Sequence, residues 1–294
     1  VSHAILGGTP NHGVWASPGF RPGNEFNGAG PFLSALNKPG AAGIVAFSEL
    51  RRTPPDGHTL FVADTATMCV NPLIHDNLPY DPARDLVPLT LLFRATFLIL
   101  VGGESRFQSV PQLLDAARRE PGRVSYASLG NGHAVHVAIE TLAQAAGVRM
   151  LQVPFKDASA LFTAVAAGDV DFTAFSVNTV AGLLQQKRLR ALAVASKTRI
   201  KELPGLPTLA EAGAPDVEMR PWAGLVAVAG TPQPVLDQLQ RDLVGAIESA
   251  EVRERIATLG FELTPSTPQQ LRARAESDLA LYTLLLRDGR LTKA

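Results

Sequence analysis

The chain reads as an α/β protein with largely parallel sheets and about two domains. Two observations carry that reading. Beyond the first third, short runs rich in β-branched and aromatic residues alternate with helical patterns, the order produced by strands joined through crossover helices. The length, 294 residues, corresponds to about two domains of ordinary size.

The elements follow in order. Residues 1–42 interleave Gly7, Gly8, Gly13, Gly19, Gly23, Gly28 and Gly30 with Pro10, Pro18, Pro22 and Pro31. Neither residue sustains a helix, so irregular chain with a short strand near Ile5 is expected. Strands are predicted at Thr59–Ala63, Thr96–Val101, Val124–Ala127, Met150–Val153, Val170–Phe175, Arg190–Ala195 and Leu225–Val228. Ser109 is placed to cap a helix carrying Leu113, Leu114 and Ala117, with Pro111 in its first turn and Pro121-Gly122 beyond its end. His133–Ala146 sets Ile139, Leu142, Ala143 and Ala146 on one face before Gly147. Ala158–Ala167 ends at Gly168, and Thr208 with Glu211 has capping-box spacing. Thr231-Pro232 and Thr267-Pro268 are cap-then-proline starts. The first opens a helix with Leu236, Leu239, Leu243 and Ile247 on one face; the second opens a helix that Gly289 closes.

Composition excludes several functions. Lys plus Arg is 27 and Asp plus Glu is 27, so the basic excess of a nucleic-acid binder is absent. Two Trp and three Tyr do not make a base-stacking platform. The single cysteine, Cys69, rules out an intrachain disulfide and a cysteine-built zinc site, and no cofactor is expected. The longest apolar region, Val87–Val101, is interrupted by Arg94 and Thr96, short of the roughly 18 residues that insert into a membrane. The N-terminus lacks a signal-peptide pattern, which fits a cytoplasmic protein or a mature one whose leader has been removed.

Three segments carry candidate chemistry. Ser125–His136 reads S-Y-A-S-L-G-N-G-H-A-V-H, a strand, a Gly-Asn-Gly loop and a helix start. Such a loop offers free N–H groups and the positive end of a helix dipole to an anion. It is neither a Walker A loop nor a G-x-G-x-x-G fingerprint. Asp64-Thr65-Ala66-Thr67 and Phe175-Ser176-Val177-Asn178-Thr179 also follow strands. Ligands of open α/β sheets lie beyond the carboxyl ends of strands, so the three turns can form one cleft. Ordinary helix capping accounts for each turn taken singly. Ser128 with His133 or His136 could also be read as a nucleophile and base, although no orienting third partner can be named. His133 and His136 lack the H-E-x-x-H context of a metal site.

Taken together, a series of segments resembles the Bug-type or TctC-like receptors of tripartite tricarboxylate transporters. The segments are N-K-P-G-A-A-G at Asn37–Gly43, P-P-D-G-H-T-L at Pro54–Leu60, N-P-L-I at Asn71–Ile74 and L-P-Y-D-P-A-R-D-L at Leu78–Leu86. Y-A-S-L-G-N-G-x-x-x-H at Tyr126–His136, V-P-F-K at Val153–Lys156 and G-D-V-D-F at Gly168–Phe172 continue the series. L-R-A-L-A-V-A-S at Leu189–Ser196, L-P-G-L-P-T-L-A-E-A-G at Leu203–Gly213 and W-A-G-L-V-A-V-A-G-T-P at Trp222–Pro232 complete it.

The resemblance implies a two-lobed periplasmic binding protein of type II-like architecture. Each lobe would hold a mixed sheet flanked by helices, with the ligand cleft between them. One lobe would be residues 1–100 plus 225–294 and the other 101–224, hinged at Leu98–Ser105 and Pro221–Leu225. It implies a small organic carboxylate as ligand, a dicarboxylate or an aromatic acid, and membrane permease subunits as partners, with no enzymatic activity and a periplasmic location. The residues carried over are Gly7 and Gly8, Thr65 and Thr67, Ser128, Gly130, Asn131, Gly132, His133, Phe155, Lys156, Ser176 and Asn178. The chain departs from the family pattern before Asn37, where P-F-x-x-G-G-x-x-D and a long helix usually stand and Gly7-Gly8-Thr9 is the nearest echo. It departs again at His133, usually a serine. Ser176 replaces the acidic residue of amino-acid binders, which points away from an amino-acid ligand. A degenerate member without a high-affinity ligand, in an interaction or sensing role, is the alternative these departures leave open.

Overall fold

The computed structural model describes residues 34–36, 44–258 and 261–293. Of the segment 1–42 read as irregular, only residues 34–36 are described, and they form a strand; the strand near Ile5, Gly7, Gly8 and the Asn37–Gly43 motif lie outside the described residues. The strands, in chain order, are β1 (Ser34–Leu36), β2 (Thr59–Asp64), β3 (Leu86–Arg94), β4 (Phe97–Gly102) and β5 (Ser125–Ser128), followed by β6 (Leu151–Pro154), β7 (Phe172–Ser176), β8 (Leu189–Val194), β9 (Trp222–Val228) and β10 (Glu262–Leu263). The helices are α1 (Ile44–Leu50), α2 (Asn71–Ile74), α3 (Pro82–Asp85), α4 (Val110–Arg119) and α5 (Ala134–Ala145), then α6 (Ala158–Ala167), α7 (Val177–Gln185), α8 (Gln233–Ile247), α9 (Ala250–Thr258) and α10 (Pro268–Arg287). A π-helical turn, Ala66–Val70, leads into α2.

Two five-stranded sheets result, in the orders β1-β2-β9-β3-β10 and β6-β5-β7-β4-β8. Both are mixed, not largely parallel as the sequence predicts. The parallel pairs are β1 with β2 in the first sheet, and β5 with β6 and with β7 in the second. The antiparallel pairs have a topological cause. The chain leaves the first sheet through β3 into β4 and returns through β8 into β9. Outgoing and returning strands lie side by side, β3 against β9 and β4 against β8, and neighbours traversed in opposite senses must be antiparallel.

The passage between sheets is short. Ala95 N–H donates to the Pro221 carbonyl at 2.9 Å and Phe97 N–H to that of Met219 at 3.1 Å. The crossings therefore fall at 95–96 and 219–221. Leu98–Gly102 lie inside β4, where Leu98, Ile99, Leu100 and Val101 are fully buried, so this stretch does not supply the hinge. The boundaries read from the sequence at 100/101 and 224/225 fall within β4 and β9, a few residues past each crossing.

Each sheet has its own core. In β2 the two-residue alternation sends Phe61 and Ala63 to the face under α10, and Leu60 and Val62 to the face under α8. Leu271, Tyr282 and Leu285 of α10 close the first face; Leu236, Leu243 and Ile247 of α8 close the second. The second sheet is packed by α4, α5, α6 and α7 through Leu113, Ile139, Leu161 and Val180.

Most helix signals act as expected. Ser109 accepts from Gln112 N–H at 3.4 Å, Thr267 and Gln270 form a reciprocal capping box, and Gly168 and Gly289 take positive φ after their helices. Two differ. Thr208 and Glu211 do make reciprocal bonds, yet only a turn follows, because Gly213 and Pro215 prevent propagation. Thr231 does not cap α8: its hydroxyl donates to the Val228 carbonyl at 2.8 Å and the helix starts at Gln233 behind Pro232.

Candidate functional site

The candidate turns stand at the carboxyl ends of four strands. Thr65 and Thr67 follow β2, Ser128 ends β5, Phe155 and Lys156 follow β6, and Ser176 ends β7. Several of them gather round the crossing between lobes. Thr65 Oγ1 accepts from Trp222 N–H at 3.4 Å, beside the returning crossing. Ser176 pairs in register with Phe97, beside the outgoing one. Phe155 N–H donates to the Ser128 carbonyl at 2.8 Å, which joins the β5 and β6 ends. Gly132 is buried against Val70 and Ile74, directly after the Thr65–Thr67 turn. Thr65, Ser176 and Gly132 thus stand beside the junction of the two lobes.

On the first-lobe side, Asp64 organises the turn. Its Oδ1 accepts from both Thr67 N–H and Thr67 Oγ1 at 2.8 Å. Desolvation nevertheless raises its pKa above the ordinary carboxylate value, against the lowering effect of those bonds. The family resemblance carries over the two threonines but not Asp64, although an Asp three residues before Thr is a recognisable Asx-type signal.

The second-lobe loop differs from the expected open cradle. Gly130 N–H donates to Ser128 Oγ at 3.3 Å and Gly132 N–H to His136 Nδ1 at 3.0 Å. Val135 N–H donates to His133 Nδ1 at 3.2 Å, so His133 caps α5. The loop's own groups take these amides, while Ala134 and His136, in the first turn of α5, have no intrahelical acceptor for theirs. Both histidines are pushed down from 6.5 to about 4 by burial, and are neutral at physiological pH. With Nδ1 accepting, each carries its proton on Nε2. His133 is therefore a neutral donor, not an imidazolium, and in His136 the backbone of Arg290 works against the lowering by burial.

Gly130 and Gly132 adopt φ of 106° and 74°, the left-handed region that glycine tolerates. A Cβ at Gly132 would sit 2.8 Å from Val70 Cγ1 and 2.9 Å from Ile74 Cδ1. Asn131 turns its side chain to Thr292, donating to its carbonyl at 2.8 Å and accepting from its N–H at 3.4 Å. Ser128 is fully buried and accepts from Gln152 Nε2 at 2.8 Å. Among the described residues no hydrogen bond joins Ser128 to either histidine. Ser176 Oγ pairs with Thr179 Oγ1 at 2.8 Å, Asn178 stands in the first turn of α7, and Lys156 is exposed.

An arginine cluster stands beside the crossing, and no local sequence pattern marks it. Arg94 ends β3, Arg220 precedes β9, and Arg274 lies on α10 above Trp222, whose indole shares Asp278 with it. Burial, then the charges of Arg274 and Arg220, lower the Arg94 pKa; Glu262 and Glu218 oppose that shift. Among the described residues no group of three His, Cys, Asp or Glu could hold a metal ion, and no helix is long and apolar enough to cross a membrane.

Two mixed α/β lobes, joined by a paired crossing and meeting at polar strand ends, define the architecture of a two-lobed periplasmic binding protein. The tripartite tricarboxylate transporter family receptor model, TctC, matches residues 34–287, and the chain belongs to that family. It is 35% identical to the UPF0065 protein in the tcbD-tcbE intergenic region of Pseudomonas sp. strain P51, over 87% of this chain and 76% of that protein. It is 25% identical to protein BugT of Bordetella pertussis, over 86% of this chain and 78% of that one. Among solved structures it resembles R. palustris Rpa4515 with adipate (TM-score 0.75, 27% identity, 88% and 86% covered). It also resembles the periplasmic binding protein BugD (TM-score 0.71, 26%, 87% of each chain), and MatC of Rhodopseudomonas palustris with bound malate (TM-score 0.68, 25%, 82% and 83%). Receptors of this family are periplasmic solute-binding proteins.

Proposed function

We propose that this chain is an extracytoplasmic receptor that closes its two lobes on a small organic carboxylate and delivers it to a tripartite tricarboxylate-type permease. The observation that carries the reading is the pair of similar receptors solved with adipate and with malate, joined to the convergence of polar strand ends at the crossing. In this reading the lobes are residues 1–95 plus 221–294 and residues 96–220, with the joints at the crossings. Thr65, Thr67, Ser128, the Gly130–His133 loop, Phe155, Lys156, Ser176 and Asn178 form the ligand surface, and Gly7 and Gly8 belong to it by resemblance. His133 Nε2–H and the Ala134 N–H, at the positive end of the α5 dipole, face a carboxylate without bringing a full charge. The bound state is favoured by contacts made only when the lobes are together. Binding proceeds without turnover or cofactor, in the periplasm.

Thermal unfolding against mono-, di- and aromatic carboxylates at fixed pH and salt tests the proposal. A ligand at about 100 times its dissociation constant adds roughly 2.7 kcal/mol, a shift of several degrees at this chain length. A selective shift is expected. A flat panel with a cooperative transition overturns the receptor reading in favour of a degenerate member, whose motivating observation is the departure of the first 36 residues from the family pattern. Hydrolysis of chromogenic esters that disappears in Ser128→Ala would overturn the non-enzymatic part.

A further inference from the structure

We propose that residues 288–293, after α10, form a brace between the two lobes that sets the attitude of the Gly130–His133 loop and limits how far the cleft opens. The brace is a third connection, additional to the two crossings. It runs antiparallel along α5: Thr292 bonds to Asn131, Arg290 to Glu140, and Asp288 to Gln144 and Arg149. Successive residues face opposite lobes. Arg290 and Thr292 point to the second. Leu291 is buried in the core of the first, and Lys293 pairs with Asp76 there. The segment leaves a helix seated on the first sheet by Leu271, Ala275, Tyr282 and Leu285, so its bonds tie α5 to the first lobe.

The centre of the brace is a buried ion pair. Arg290 Nη1 donates to Glu140 Oε2 at 2.9 Å, with side-chain exposures of 8% and 7%. Tyr126 O–H donates to Glu140 Oε1 at 2.7 Å, and Arg290 Nη2 to the Val148 carbonyl at 2.8 Å. A buried pair satisfied this completely has one favourable geometry, and removing one partner strands the other charge. Val137 of α5 adds apolar contact in the first-lobe core. Because α5 begins at the ligand loop, a brace along its length acts on the site without touching the ligand; Arg290 is a positioning residue.

The test uses the ligand-free chain, a truncation after Arg287, and the double variant Arg290→Met/Glu140→Met, which removes both charges together. Small-angle scattering of ligand-free protein is expected to show a radius of gyration larger by on the order of 1 Å in both variants, with cooperative melts retained. Scattering identical to the parent chain in a cooperatively folded variant overturns the brace. Should the truncation fail to fold, the double variant decides. A second arm, which rests on the receptor reading, measures affinity for a carboxylate found in the thermal panel. A loss of about tenfold is expected, because the binding-competent arrangement becomes a smaller fraction of the ensemble. An unchanged affinity overturns the link to the loop. A chain that binds no carboxylate leaves the scattering result standing, so the two proposals fail separately.

Discussion

The Asp64–Thr67 turn of the first lobe and the Ser128–His133 loop of the second are held in different ways. Asp64–Thr67 is fixed from within: one carboxylate receives the N–H and the hydroxyl of a residue three positions on. Ser128–His133 has its own internal bonds and is also held by distant parts of the chain. Gln152 holds Ser128, Thr292 holds Asn131, and Val70 with Ile74 press on Gly132. The outside partners of the first turn, Trp222 and Tyr80, belong to its own lobe, whereas Thr292, Val70 and Ile74 reach the second from the other lobe. Near-neutral chemistry follows the same division, since the outer loop relies on two neutral histidines and the inner turn on a single acid.

That contrast can be broken from either side. The largest effect expected is on pH dependence. His133 and His136 each fall from 6.5 to about 4 on folding, about 3 kcal/mol per histidine at full protonation. The unfolded chain binds the protons more readily, so their contribution is complete above pH 6.5, declines as the pH falls and is gone below about 4. Denaturant midpoints taken between pH 7.5 and 4.5 should drop steeply, and His136→Gln should flatten that slope. Asp64 acts with the opposite sign, because its raised pKa makes the folded state favour its proton.

Gly132→Ala comes next, at about 2–3 kcal/mol of stability, from a Cβ in the left-handed region and a clash with two side chains. Gly130→Ala shares only the backbone strain, having open space around it, and should lose about 1 kcal/mol; equal losses would refute the close approach of the lobes. Asp64→Ala leaves two Thr67 donors to find water and should lower stability by about 1–2 kcal/mol, whereas Asp64→Asn retains an acceptor and should lose less. The smallest change is Gln152→Ala, roughly 1 kcal/mol in unfolding free energy for one neutral hydrogen bond to Ser128.

What the sequence discloses follows the same line between local and distant causes. Caps at Ser109, Asp157 and Thr267 act within four residues, and the helices they open are legible. Strands in the second lobe are legible because Gly and Pro bracket them. The strand β3 escapes because Val87–Val101 reads as one apolar run. Arg94 and Thr96, met there as interruptions, mark the place where the chain changes sheets. Thr65, Thr67, Ser128, Ser176 and Asn178 are visible as small polar residues after strands. Gln152 and the 288–293 segment are not, since their partners lie 24 and more than 130 residues away. The arginine cluster at the crossing is hidden for the same reason: Arg94, Arg220 and Arg274 come from three distant parts of the chain.

The outgoing and returning crossings lie within one hydrogen bond of each other, Ala95 to Pro221 at 2.9 Å. The second lobe is thus an insert whose ends touch. A unit of that kind can be excised, replaced by a short loop, exchanged between relatives or recloned with new termini without rerouting the first sheet. The two lobes can then diversify at separate rates, one carrying the turn around Asp64 and the other an exchangeable loop. The surface such an exchange must match is α5, where Val137 and Glu140 meet the rest of the molecule.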